Sequence, residues 1–166
     1  MAVRVRLLGS FEVEVDGVRV PADRWSRRHA AALVKLLALS ERRRLHREQV
    51  METLWPGQAA DTAGPRLHKA AHYARRALGD RPDAVVLRHD VVALLPGEDV
   101  AVDLDEFLAL GRSALVERSV AGAEKALDLY GGELLPEDVY ESWTRDAREV
   151  ARASYVDLLR LAGRWQ

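Results

Sequence analysis

The chain of 166 residues has no cysteine. No disulfide framework, zinc-thiolate site or cysteine nucleophile is therefore available, and the composition suits a reducing cytoplasm. Aromatic residues are scarce, at 6%, so a core has to be built from leucine, valine and alanine. No run approaches the ~18 uncharged apolar residues of a membrane span, and the N-terminus enters alternating sequence without the apolar region of a secretion signal. The phosphate loop GxxxxGK is missing, as are a GxGxxG after a strand and a GxSxG elbow. Nucleotide chemistry and serine hydrolysis thus lose their usual anchors. No nucleophile with its base and no cofactor loop can be assembled, so the sequence does not read as an enzyme and implies no cofactor.

What is present is apolar content of 48% with 31% charge, enough to bury a core in one large domain or two small ones. The net charge of -1 hides a strong asymmetry. Residues 1–80 hold 15 lysines and arginines against 9 acids, and four of the five histidines; residues 81–166 hold 10 against 17. Such a split suggests two parts with different partners, the first of them nucleic acid.

The opening VRVRLLGSFEVEVDGVRV alternates apolar and polar residues over Val3 to Leu8 and Phe11 to Val15, then turns at Asp16-Gly17. Alternation around a DG pair predicts an antiparallel hairpin with one buried face. Ser26 is placed to cap a helix whose stripe is Ala30, Leu33, Val34, Leu37 and Ala38. After a basic turn, a short second helix is expected from Arg47 to Trp55, stopped by Pro56-Gly57. Asp61 or Thr62 then caps a third helix, spanning 62–78, with Pro65 in its first turn and Gly79 beyond its end. Ala84 to Arg88 and Val91 to Leu95 form a second hairpin around His89-Asp90. From Asp103 onward the pattern is helical throughout, in two similar segments and a long one, which suits stacked helix pairs of the tetratricopeptide kind.

The third helix is the most unusual element. At ~100° per residue, Leu67, Ala70, Ala71, Ala74, Ala77 and Leu78 share one arc. The rest of the circle holds Arg66, His68, Lys69, His72, Tyr73, Arg75 and Arg76, and Gly64 to Gly79 contains no acid. A merely soluble helix mixes signs, so this face points to a polyanion. His68 and His72 stand at i and i+4, a spacing that also suits zinc, but Lys69 would repel the cation and no glutamate follows. Glu98, Asp99, Asp103, Asp105 and Glu106 lack the spacing of a calcium loop and read as helix-end charge. Trp25, Trp55, Trp143 and Trp165 lie beside apolar stripes and read as core rather than as a stacking platform. Arg42, Arg43 and Arg44 are either a solvated turn or a phosphate contact.

Two helices, a basic third helix and a β-hairpin make the order of a winged helix-turn-helix, in which the third helix enters the major groove. On that reading Arg66, Lys69, His72 and Arg76 reach base edges or nearby phosphates. Arg75 lies to the side as a phosphate contact, and Arg27, Arg28, Arg42, Arg43 and Arg88 are backbone clamps. The fold class is α+β: a small antiparallel sheet and winged helix over 1–97, then an all-α tetratricopeptide-like domain over 103–166. The competing reading is an adaptor that uses both parts to bind protein.

The segments LLGSFEVEVDGVRV, RRHAAALVKLLALS, LHREQVMETLWP, LHKAAHYARRALG and LDLYGGELLPEDVYESW together resemble the SARP family, the streptomycete antibiotic regulatory proteins. The resemblance covers nearly the whole chain. It implies an OmpR-type winged helix followed by a bacterial transcriptional activation domain (BTAD), of which 166 residues hold only the N-terminal part. ARRAL matches the family's LRRxL, carrying over Arg75 and Arg76; Leu67 matches the apolar anchor of the recognition helix and Trp55 the tryptophan ending the second helix. His89-Asp90 stands where the family's wing often has Gly-Tyr. The resemblance further implies transcription activation of antibiotic biosynthesis by binding double-stranded DNA at direct repeats in promoters. Side-by-side copies would recruit the RNA polymerase holoenzyme through its sigma subunit.

Overall fold

The computed structural model describes residues 2–164, so Trp165 of the expected core lies outside the described residues. Four strands, β1 (Ala2–Arg6), β2 (Glu12–Val15), β3 (Val18–Arg19) and β7 (Asp99–Val102), form one sheet of order β3-β2-β1-β7. Asp16 and Gly17 both take positive φ, at 51° and 80°, as a two-residue hairpin turn with the strands' own twist requires. Along β1 the alternation is realised, with Val3 and Val5 buried and their neighbours exposed. The strand stops two residues short of expectation. By Leu8 the backbone has left the ladder for an isolated bridge to Leu134.

The chain divides into two compact units, residues 2–3 with 13–100 and residues 4–12 with 101–164. In the first, α1 (Arg28–Leu39) buries its whole predicted stripe and also Ala31 and Leu36. Ser26 does not cap it. The N-cap is Arg27, no side chain bonds the first turn, and a 3-10 turn over Ala22–Trp25 occupies the preceding residues. A left-handed pair, Arg42 and Arg43, turns the chain into β4 (Arg44–His46), which the basic composition had masked as a loop. α2 (Arg47–Leu54) begins with a reciprocal cap: His46 Nδ1 accepts from Glu48 N at 3.2 Å and Gln49 Oε1 accepts from His46 N at 3.2 Å.

α3 (Ala60–Ala77) starts earlier than expected, from an Ala59 N-cap without a side-chain bond. Asp61 and Thr62 therefore lie inside it. Pro65 falls in the second turn rather than the first, where its missing N–H withholds a bond from the Asp61 carbonyl. β5 (Val85–Arg88) and β6 (Val91–Leu94) form the second hairpin, and β4 adds to it in the order β4-β6-β5. His89 and Asp90 supply the two positive φ values, 52° and 62°, so this turn needs no glycine.

In the second unit α4 (Asp103–Glu117) and α5 (Val120–Leu129) form a helical hairpin, reversed at left-handed Arg118 and capped by Ser119, whose Oγ accepts from Gly122 N at 2.9 Å. α6 (Arg145–Leu161) packs on both. Residues 7–9 are pinned to this unit. Asp103, instead of standing at a helix end for its charge alone, accepts from Leu7 N at 2.8 Å and Leu8 N at 3.0 Å. Burial pushes its carboxyl above the ordinary carboxylate value, against the pull of those N–H groups. Gly9, at φ 91°, passes so close to Gly131 that a Cβ on it would lie 2.7 Å from the Gly131 carbonyl oxygen. Tyr130 stacks on Tyr155 with ring centroids 4.0 Å apart. No helix among the described residues is long and apolar enough to cross a membrane.

Candidate nucleic-acid interface

α3 divides cleanly into two faces. Ala63, Gly64, Leu67, Ala70, Ala71, Ala74 and Ala77 are buried, while Arg66, His68, Lys69, His72 and Arg76 are exposed. The small residues let α3 lie close against α1, its principal helix neighbour. Each long polar side chain is thereby left to project from the other side. Trp55, the C-cap of α2, is 4% exposed and is core, as its position predicted.

The exposed cations are not equivalent. Arg66 and Lys69 have no hydrogen bond or ion pair among the described residues. Arg76 sits 3.9 Å from Asp80, one turn on, and its carbonyl accepts a long 3.5 Å bond from Arg24 Nη1. The uncompensated charge of α3 is therefore concentrated in its first half and middle. That is the part of a recognition helix that meets base edges in helix-turn-helix proteins.

Arg75 is half-buried and donates from Nε to the Val85 carbonyl at 2.8 Å. Its guanidinium fastens α3 to β5, a role that helical spacing alone does not reveal. Tyr73 is also engaged: the Arg27 guanidinium lies 4.1 Å from its ring centroid and Arg27 Nη2 donates to its hydroxyl at 3.2 Å. The ring of His72 meets it edge-on at 5.2 Å. Arg43 closes the end of α1, donating to Ala38 O at 2.9 Å and Ser40 O at 3.4 Å. Arg28, Arg42 and Arg88 are exposed. His68 and His72 do not belong to any metal-competent group of three among the described residues.

At the wing, Arg47 N donates to Asp90 O at 2.7 Å, tying the hairpin tip to the start of α2. The guanidinium of Arg47 reaches α3 as well, 3.0 Å from where a Cβ on Gly64 would stand. Neither link has a signal in the sequence beyond the glycine itself. A cleft of about 450 Å³ opens between the first turn of α1 and the middle of α3, and it brings Arg27 and Arg28 together with Arg66 and Lys69. These four residues lie roughly 40 apart in sequence as two pairs. Of the cleft's lining, sequence reasoning missed His29, whose ring tilts against Trp55 with centroids 5.1 Å apart.

No known family model matches the chain, and no curated protein matches it. Among solved structures it is similar to Mycobacterium tuberculosis EmbR, determined in complex with a low-affinity phosphopeptide, with a TM-score of 0.67 at 17% identity. The match covers 98% of this chain and 46% of that one, so the chain spans just under half of the EmbR chain. The likeness shows the fold. This is an α+β architecture, a winged helix followed by a helical domain.

Proposed function

We propose that the protein is a sequence-specific DNA-binding transcription activator of the SARP kind, in which α3 enters the major groove. Residues 1–97 hold its winged-helix domain, apart from residues 4–12, which pack with the helical unit, and residues 103–164 belong to its activation domain. The observation that carries this reading is the outer face of α3, where Arg66 and Lys69, flanked by His68 and His72, project without counter-charge from a helix packed flat on its alanine side. Arg66 offers the fork that reads guanine through two bonds. Lys69 and the histidines meet base edges or neighbouring phosphates. Arg76 contributes after giving up its contact with Asp80, and Arg28, Arg42 and Arg88 clamp the backbone.

Arg27, Arg43 and Arg75 keep their structural bonds and turn only their remaining N–H groups outward. The tip of the wing, anchored through Arg47, follows the backbone beside α3. The helical unit lies in the acidic half of the sequence and suits protein contacts. On the strength of the resemblance, its partner is the sigma subunit of RNA polymerase, met by side-by-side copies on direct repeats. The protein works in the cytoplasm without a catalytic centre.

Binding of a labelled duplex at a series of salt concentrations tests the electrostatic part. With about five phosphates neutralised, log affinity falls with log salt at a slope of roughly -4 to -5; a flat response sinks the reading. Selection of bound duplexes from a random pool tests the sequence-specific part and yields the repeat spacing.

A further inference from the structure

Residues 134–144, ahead of α6, form a loop that is fixed at its base and bare at its apex. Leu134 and Leu135 are buried, and so is Thr144. The Thr144 hydroxyl lies 2.7 Å from the Glu141 carbonyl oxygen and 3.0 Å from that of Asp138, and it accepts from Arg148 Nη2 at 2.9 Å. Arg148 also donates to the carbonyls of Leu134 and Leu135, at 3.0 and 3.1 Å. Backbone bonds from Asp138 N to Leu135 O, Glu141 N to Asp138 O and Thr144 N to Glu141 O close successive turns. What this framework holds in solvent is Val139, 45% exposed, and Tyr140, 99% exposed. Scattered apolar residues at a surface are ordinary. An adjacent pair on a loop so firmly tied is ordered in advance of any contact, and tyrosine is among the residues that dominate interface energetics. The chain around the pair is acidic. From Ala126 to Thr144 it has five carboxylates and no cation, and of the five Glu133 is already paired with Arg148 and Arg152. Glu137, Asp138 and Glu141 flank the apex.

We propose that this apex is a protein-docking site, taken by a basic surface with an apolar slot. Tyr140 fills the slot, Val139 packs at its edge, and lysines or arginines of the partner meet Glu137, Asp138 and Glu141. The same carboxylates repel a nucleic acid or an anionic membrane. A second copy of the chain is a poorer occupant, because its exposed cations on α3 are the ones that a duplex needs. The partner is the RNA polymerase holoenzyme, and that identity rests on the activator reading.

Titration of the labelled whole protein with purified bacterial RNA polymerase holoenzyme, without DNA, tests the contact. Tyr140→Ala is expected to weaken binding about thirtyfold, the scale of an interface hot spot, with an unchanged thermal midpoint because the side chain stands in solvent. Glu137→Lys combined with Glu141→Lys should weaken it similarly. Val18→Ala, which trims an exposed apolar side chain of the other unit, should not. No binding by the wild-type protein overturns the inference, as does equal binding by Tyr140→Ala or by the charge-reversed variant. Loss of self-association in Tyr140→Ala with holoenzyme binding intact also overturns it and gives the apex to a second copy. Duplex affinity, measured alongside, should be the same in all four proteins. A duplex bound without holoenzyme sinks the docking site and leaves DNA recognition standing; holoenzyme bound without a duplex does the reverse.

Discussion

Arg75 and Arg76 are adjacent in the chain and have opposite work. The Nε of Arg75 supports the Val85 carbonyl, so Arg75→Ala should lower unfolding free energy by about 1–2 kcal/mol, read as a shifted denaturant midpoint. Exposed and unpaired Arg66 is the converse. Arg66→Ala should move stability by less than ~0.5 kcal/mol but weaken a selected duplex by ~1–3 kcal/mol. Equal effects of the two variants on stability would remove the distinction. Asp103 gives a pH signature. Its folded carboxyl titrates above the ordinary value near 3.8, so the proton is bound more tightly in the folded state. This contribution is full below the unfolded value and is lost as pH rises through the folded one. The stability gap between the wild-type protein and Asp103→Asn should therefore be larger at acid pH than at neutrality; an equal gap would show that burial does not govern this carboxyl. The 100° periodicity told which way each side chain points. It carried no information on which carbonyl or carboxylate waits there, and for that reason Arg75, Arg43 and Asp103 have roles the sequence did not disclose.

Elements with strong local codes were legible. The apolar stripes of α1 and α3, the DG hairpin and the start of α2 follow from periodicity and turn chemistry, and they hold in the fold. The misses have a common cause. β4 is three residues whose stability comes from pairing with β6, nearly 50 residues on, and no local pattern announces such a partner. Ser26 failed as a cap because a 3-10 turn used the residues before α1. α3 absorbed Pro65 because burial of Leu67 and five alanines outweighs one missing hydrogen bond. The alanine face is itself testable. Ala74 is fully buried, and Ala74→Leu should cost roughly 1–3 kcal/mol through overpacking. Duplex affinity should fall with it, because α3 has to move outward to make room. A thermal midpoint equal to that of the wild-type protein would show that α3 is not held against its scaffold.

At the scale of the molecule, a net charge of -1 gives no reason to bind a polyanion. What matters is the distribution, because at physiological salt exposed charges are felt only over about 8 Å. A ligand at α3 therefore senses the local excess of Arg66, Lys69 and their neighbours, not the acids that balance the total. This separates charge placement from charge amount in a single measurement. Replacing Arg66 and Lys69 together by alanine should reduce the salt slope of duplex binding by about 1, since a phosphate contact from Lys69 contributes close to one while Arg66 reads a base edge. Replacing Arg112 and Lys125 in the helical unit by alanine changes net charge equally, and the slope should stay where it was. If both pairs lower it alike, the protein is attracted by bulk charge and the face of α3 has no special part in binding. If neither does, the clamps at Arg28, Arg42 and Arg88 carry the electrostatic contribution and α3 must be reassigned.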